Sequence, residues 1–202
     1  MVTCVVLTTA AAALAIFGSL VEVAGHGMLW DPVNRGSMWR FGYDTPINYN
    51  DNELFCGGKW VQWDENEGRC GLCGDNFALD RPRPNENTGL FGTGVPVNEY
   101  WRGQTINATI KITANHMGFV IFNLCPLTNK TELETEECFN TYPLKVGGGS
   151  NYKYYLPSTE SRLFYVAVKL PESISCELCV LQWTYIVGEY WRLVAHVKNS
   201  LH

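Results

Sequence analysis

Gln104-Thr105-Ile106-Asn107-Ala108-Thr109-Ile110-Lys111-Ile112 is the stretch whose reading decides the fold. Ile106, Ala108, Ile110 and Ile112 fall on one face, with Asn107, Thr109 and Lys111 on the other. Alternation with a period of two belongs to a strand that has one face on a core and the other in solvent. Downstream, Met117 to Leu124, Leu163 to Leu170 and Cys179 to Val187 are rich in β-branched and aromatic residues, the composition of buried strands. Gly147-Gly148-Gly149-Ser150 reads as a turn, because no strand, Gly-rich loop and helix surround it as a phosphate cradle requires. Glu132 to Glu137 reads as a solvated acidic stretch. Short strands, intervening turns and little helical periodicity predict a mainly β protein, a β-sandwich of two packed sheets. Two Asn-x-Thr triplets are candidate glycan sites, Asn107 on the solvent face of the strand and Asn129 in a loop.

Upstream, from His26 to about Arg102, the chain is rich in Gly, Pro, Asn and aromatic residues and shows no sustained period. Asp31-Pro32, Thr45-Pro46 and Arg81-Pro82-Arg83-Pro84 break regular elements, so this part reads as a long loop-rich region with short helical turns. Further upstream, residues 4–20 are almost wholly apolar, and Val23 and Gly25 stand at −3 and −1 of a cut before His26. That is the pattern of a secretory signal over 1–25, although Met1-Val2-Thr3 lacks the usual positive charge. The apolar run is shorter than the ~20 residues of a spanning helix. The mature protein is therefore expected to be secreted and extracellular, with one domain over 26–202 and no membrane association after the cut.

Cysteine usage agrees with an oxidising compartment. Outside the leader stand Cys56, Cys70, Cys73, Cys125, Cys138, Cys176 and Cys179, all disulfide candidates, with the connectivity open. Their number is odd, so one thiol is left over, pairs between chains or has lost its partner. Cys70/Cys73 and Cys176/Cys179 have Cys-x-x-Cys spacing, but they lie much further apart than the halves of a zinc ribbon and neither sits in a βαβ pattern. Disulfides are the better reading. The formal charge of −5, to which the leader contributes only Glu22, argues against a nucleic-acid partner held by phosphate neutralisation.

The chain has four histidines, His26, His116, His196 and His202. A cut after Gly25 gives His26 a free α-amine beside its own imidazole, and those two nitrogens with His116 make a three-nitrogen set suited to copper. Asp64, Glu65, Glu67 and Asp75 are candidate carboxylates for glycoside hydrolysis, though acidic loop residues are usually only solvated. Tyr43 and Tyr49, with Trp39, are candidates for an aromatic platform under a sugar surface, loop packing being the competing explanation.

His26-Gly27 after a leader, Phe55-Cys56-Gly57-Gly58, Gly68-Arg69-Cys70-Gly71-Leu72-Cys73-Gly74-Asp75, Ala114-Asn115-His116-Met117-Gly118-Phe119 and Cys176-Glu177-Leu178-Cys179-Val180-Leu181-Gln182-Trp183-Thr184-Tyr185 occur in that order. Together they resemble the animal copper-dependent lytic polysaccharide monooxygenases, the chitin-binding type-4 domain family, over roughly 26–191. The resemblance implies a fibronectin- or immunoglobulin-like β-sandwich with a long disulfide-stapled loop region. It also implies a monomer with one copper ion held by His26 and His116, the two residues on which the catalysis would rest, and Ala114 packed near an axial position. The implied activity is oxidative cleavage of crystalline chitin or cellulose with an external electron donor. The likeness departs after Trp191. There the family continues with a segment bearing three further cysteines, a Gln-Glu pair and an axial aromatic, and Arg192 to His202 stands in its place. The expectation is an incomplete C-terminal segment from about 192, a core strand lacking its partner, and an odd cysteine count explained by the lost tail. Two rivals follow, a non-catalytic polysaccharide-binding protein and a truncated inactive isoform.

Overall fold

A computed structural model of the chain describes residues 25–187 and, by backbone, 197–200. The leader, His196 and His202 lie outside them. Eight strands are present among the described residues: β1 His26–Asp31, β2 Thr105–Ala114, β3 Phe119–Leu127, β4 Pro143–Val146, β5 Tyr154–Tyr155, β6 Leu163–Lys169, β7 Leu178–Ile186 and β8 Val197–Ser200. Every pairing is antiparallel, in the order β1-β2-β6-β4-β3-β7-β8, with β5 on β3. The short strand β4 makes the corner. Pro143 and Leu144 pair with β3, and Lys145 and Val146 pair with β6, so one continuous path folds into two facing layers.

The inner face read in β2 is the one observed, with Ile106, Ala108, Ile110 and Ile112 buried and Asn107 exposed, but on the outer face Thr109 is buried and Lys111 half-buried between the neighbouring strands β1 and β6. Phe164, Val166 and Val168 of β6 complete that layer's inner face, while Val120, Phe122 and Leu124 of β3 and Leu181, Trp183 and Tyr185 of β7 line the other. A satellite cluster of Leu127, Phe139, Leu178 and Val180 packs with Cys125 beside helix α1, Glu136–Thr141. Gly147 to Ser150 forms the expected turn.

Three expectations need correction. Val197–Ser200 pairs with Gln182 to Tyr185, so β7 is hydrogen-bonded on both sides and no core strand is left without its partner at that edge. His26–Asp31, inside the stretch read as loop, is a strand, because pairing with Thr109 to Ala114 satisfies its backbone despite the lack of a clear period. The acidic stretch is only partly solvated: Glu136 and Glu137 are exposed, but Glu134 is fully buried.

Glu134 ties the loop region together. Its carboxylate accepts from Arg35 Nη1 at 2.6 Å and from the Asn87 backbone N–H at 3.0 Å, and its carbonyl accepts from Arg81 Nη2 at 2.7 Å. The same Arg35 nitrogen reaches the Asn85 carbonyl at 2.7 Å. Beside these, Arg83 pairs with the buried Glu86 at 2.6 Å. Disulfides Cys56–Cys70, Cys125–Cys138 and Cys176–Cys179 add covalent staples. Cys73 belongs to none of these three; its sulfur lies 3.2 Å from Glu134 Oε1.

Burial pushes the Glu134 carboxyl up, but the Arg35 charge and the hydrogen bonds from Arg35 and Asn87 outweigh it, and the group titrates below the usual carboxylate range. A carboxyl lowered on folding stabilises fully above its unfolded value, about 4.3, and that contribution disappears as pH falls through the folded value. Asp75, pushed up by burial, has the opposite sign. Glu134→Ala is expected to cost about 3–5 kcal/mol by leaving the Arg35 charge buried, and to flatten the loss of stability below about pH 5. Urea unfolding of both chains at neutral and acid pH measures it.

Candidate metal centre

His26 opens β1, paired with Ala114 at the end of β2, and His116 follows two residues beyond that partner. A register shift lies between His26 and Gly27, and such an irregularity re-aims a side chain out of the regular pleat. Gly27 is required at the step: a Cβ there would stand 2.9 Å from both Ile112 Cδ1 and the Lys111 carbonyl. The Gly27 N–H donates to Asn52 O at 3.1 Å, and Asn52 Nδ2 to Thr113 Oγ1 at 3.0 Å, which anchors the loop carrying residues 48–56 beside the histidine. From that loop the Phe55 ring meets His26 edge-to-face at 5.4 Å.

His116 sits in a tight turn between β2 and β3. Met117 and Gly118 have φ of 56° and 94°, the left-handed region that favours glycine and is uncommon for methionine. The His116 N–H donates to the Tyr185 hydroxyl at 3.0 Å, and that hydroxyl donates to the Met117 carbonyl at 2.8 Å. Gly25, just before His26, packs on the same ring; a Cβ on it would lie 3.0 Å from Tyr185 Cε1. Both histidines therefore adjoin one end of Tyr185, at the pole of the sandwich where β2 ends and β3 begins. Both are half-buried, open to solvent on one side.

Among the described residues no three His, Cys, Asp or Glu side chains form a metal cage. A metal here depends on the two imidazoles and a donor from the main chain. Neutral nitrogen donors without thiolate or carboxylate suit copper, in either of its common oxidation states, better than calcium, magnesium or a structural zinc.

The other candidates separate. Tyr49 is exposed and meets Trp39 edge-to-face at 5.3 Å, on the loop that leads to Asn52 and Phe55. Tyr43 is half-buried and its hydroxyl donates to the Val97 carbonyl at 3.4 Å, so it is not part of that pair. Asp64, Glu65 and Glu67 are exposed, whereas Asp75 is buried with its carboxylate bound to Asn85 at 2.7 Å, and this leaves no evident acid and base pair. Asn129 is exposed, its Oδ1 accepting from the Thr131 hydroxyl at 2.8 Å. Asn52 was not legible as a site residue; Phe55, Asn115 and Tyr185 were visible only as members of the motifs that carry the resemblance, without a role.

The class follows from fold and motif together, and comparison with known proteins agrees. Residues 26–195 match the family model described as lytic polysaccharide mono-oxygenase, cellulose-degrading, a match that begins at His26, and the chain belongs to that family. Among solved structures it is similar to the AA15 lytic polysaccharide monooxygenase from Thermobia domestica in the Cu(I) state, at 38% identity and a TM-score of 0.85, over 87% of this chain and 96% of that one. No curated protein matches it.

Gly27→Ala is expected to destabilise the fold by about 1–3 kcal/mol through overpacking against Ile112 and Lys111. Thermal melting of the purified chain reads the change.

Proposed function

We propose that cleavage after Gly25 makes His26 the first residue of a secreted, monomeric protein, and that the His26 amine and ring and the His116 ring together hold one copper ion. The family's chemistry is copper-dependent oxidation of polysaccharide with an external electron donor, and the chain is such a monooxygenase. The observation that carries the assignment of residues is that His26 pairs with Ala114, two residues before His116, so that two half-buried histidines come to one pole, while no three His, Cys, Asp or Glu among the described residues group to offer another site.

Bound copper supplies one-electron redox chemistry, which is what oxidation of an unactivated C–H bond next to a glycosidic oxygen requires. The residues of this chain do the rest. The irregularity after His26 and the turn holding His116 set the backbone from which the two rings extend, which lowers the ordering entropy that opposes metal binding. Ala114, the register partner of His26, places only a methyl group at that position beside the histidine. The α-amine must lose its proton to bind, and its ordinary pKa is about 7.7–8.0, so copper affinity falls with acidification.

The substrate we assign is the surface of crystalline chitin or cellulose, met by Tyr49 and Trp39 next to the histidine pole. A sugar ring offers its C–H groups to the electron-rich face of an aromatic ring and its hydroxyls to surrounding polar groups, and a net negative protein is not hindered by a neutral polymer. No helix among the described residues is long and apolar enough to cross a membrane.

With His26 confirmed as the N-terminus, the parent chain is expected to bind one Cu(II) per molecule by calorimetry and, with a reductant, to release oxidised oligosaccharides from chitin or cellulose. His116→Ala should abolish both signals. Product from that variant at the parent's level would sink the histidine-pair assignment.

A further inference from the structure

We propose that Tyr185 and Asn115 are positioning residues for His116, setting its ring through the turn that carries it. The inference rests on His116 being a copper ligand, and it extends that reading to two side chains that cannot themselves belong to the ligand set.

The turn is costly to hold. Met117 at φ 56° is followed by Gly118 at φ 94°, and a non-glycine residue in the left-handed region persists when its surroundings over-determine it. Here they do so from both sides. On the core side, Tyr185 is fully buried, stacked near-parallel on Trp183 with ring centroids 6.4 Å apart. Its hydroxyl is the polar end of an otherwise apolar ring, and it spends that end on the turn, accepting the His116 N–H at 3.0 Å and donating to the Met117 carbonyl at 2.8 Å. On the outer side, Asn115 Oδ1 accepts the Met117 N–H at 2.8 Å, while Nδ2 donates to the carbonyls of Ser158 at 3.0 Å and Glu160 at 2.6 Å. The Asn115 N–H also reaches Ser161 Oγ at 3.2 Å, and the Leu156 N–H donates to the Gly118 carbonyl at 3.0 Å.

The consequence is that the backbone at His116 is pinned to two bodies, strand β7 through Tyr185 and the loop of residues 156–161 through Asn115. The imidazole hangs from that backbone, so its direction relative to His26 is set by groups that touch neither the metal nor the substrate. Removing the Tyr185 hydroxyl leaves the ring stack and the cavity shape in place but frees one donor and one acceptor inside the turn. Removing the Asn115 side chain takes away the brace on the Met117 N–H and the links to the Ser158 and Glu160 carbonyls, and leaves only the outer contacts through Ser161 and Leu156. Partners of this kind, which orient a ligand without binding the metal, change affinity by about 10–100-fold when lost.

The test uses the full mature chain with His26 at its N-terminus and Cu(II) as the probe, comparing the parent with Tyr185→Phe and Asn115→Ala. Calorimetry gives the affinity, electron paramagnetic resonance of the Cu(II) form gives the ligand field, and the melting temperature of the metal-free protein reports the fold. We expect both variants to bind Cu(II) at least about tenfold more weakly and to show shifted g and hyperfine values. A merely structural role would lower the melting temperature and leave the Cu(II) spectrum of the folded fraction as in the parent; that result, or parent affinity in both variants, overturns the proposal. Should Tyr185→Phe fail to fold, Asn115→Ala decides alone on the same readings. A parent that binds no copper defeats the copper reading and this assignment together, whereas a copper-binding parent matched by its variants defeats this assignment only.

Discussion

The antiparallel pairing of β1 with β2 is the constraint on which the rest depends. It carries His26 to Ala114, and it does so from a strand whose sequence has weak β patterning of its own. β2 supplies what β1 lacks. Its buried face of Ile106, Ala108, Ile110 and Ile112 is locked into the core, and β6 holds it on the other side by seven paired residues from Thr105 to Lys111. A strand so fixed is a template, and β1 adds to its free edge with two irregularities, of which the one after His26 lets the histidine depart from the pleat.

The loop region solves a different problem. Long stretches without ladder hydrogen bonds must satisfy their backbone elsewhere, and covering a sheet with them buries polar groups that would each be costly alone. The Arg35–Glu134 pair and its neighbours answer this by binding carbonyls and N–H groups from two separate segments, around residues 85–87 and 132–134. Such a network is stable when complete and expensive when broken, because removing one charge strands the other in a dry interior. A second set of buried polar bonds holds the loop carrying residues 48–56 beside His26: buried Asp51 binds Arg40 at 2.6 Å and Ser37 at 2.7 Å.

The strands of the sandwich were legible because their signal is local. Ile106 to Ile112 alternates within a window shorter than the strand itself, and the apolar runs at 163–170 and 179–187 need no partner to be recognised. Glu134 was misread for the converse reason: its environment is made by Arg35, 99 residues away in sequence, and nothing in Glu132 to Glu137 announces that one acid of the group is inside. Tyr185 was hidden in the same way, since a tyrosine in an apolar strand looks like core until its hydroxyl is found at 116 and 117. The histidines were visible only through what surrounds them, a leader before His26 and a family motif around His116, because a lone histidine carries little information about whether it binds metal.

The placement of empty space sharpens the functional argument. A cavity of about 470 Å³ lies between the sheets, lined by Pro32, Ile106, Leu124, Leu170 and Leu181. Those residues stand at the opposite ends of the same strands whose other ends carry Ala114, His116 and Tyr185, so at about 3.3 Å per residue the length of β2 separates the cavity from the histidines. Neither that cavity nor the smaller one beside α1 is lined by His26 or His116. A soluble substrate is ordinarily selected by enclosing it, and neither of these two cavities is built from the histidines. A polymer chain held in a crystal cannot be drawn into a cavity, and a site built to reach it must stand on the surface with its ligands fixed beforehand by the fold. The half-buried His26 and His116 at one end of these strands, with Phe55, Tyr49 and Trp39 on adjoining segments, fit the surface site proposed above.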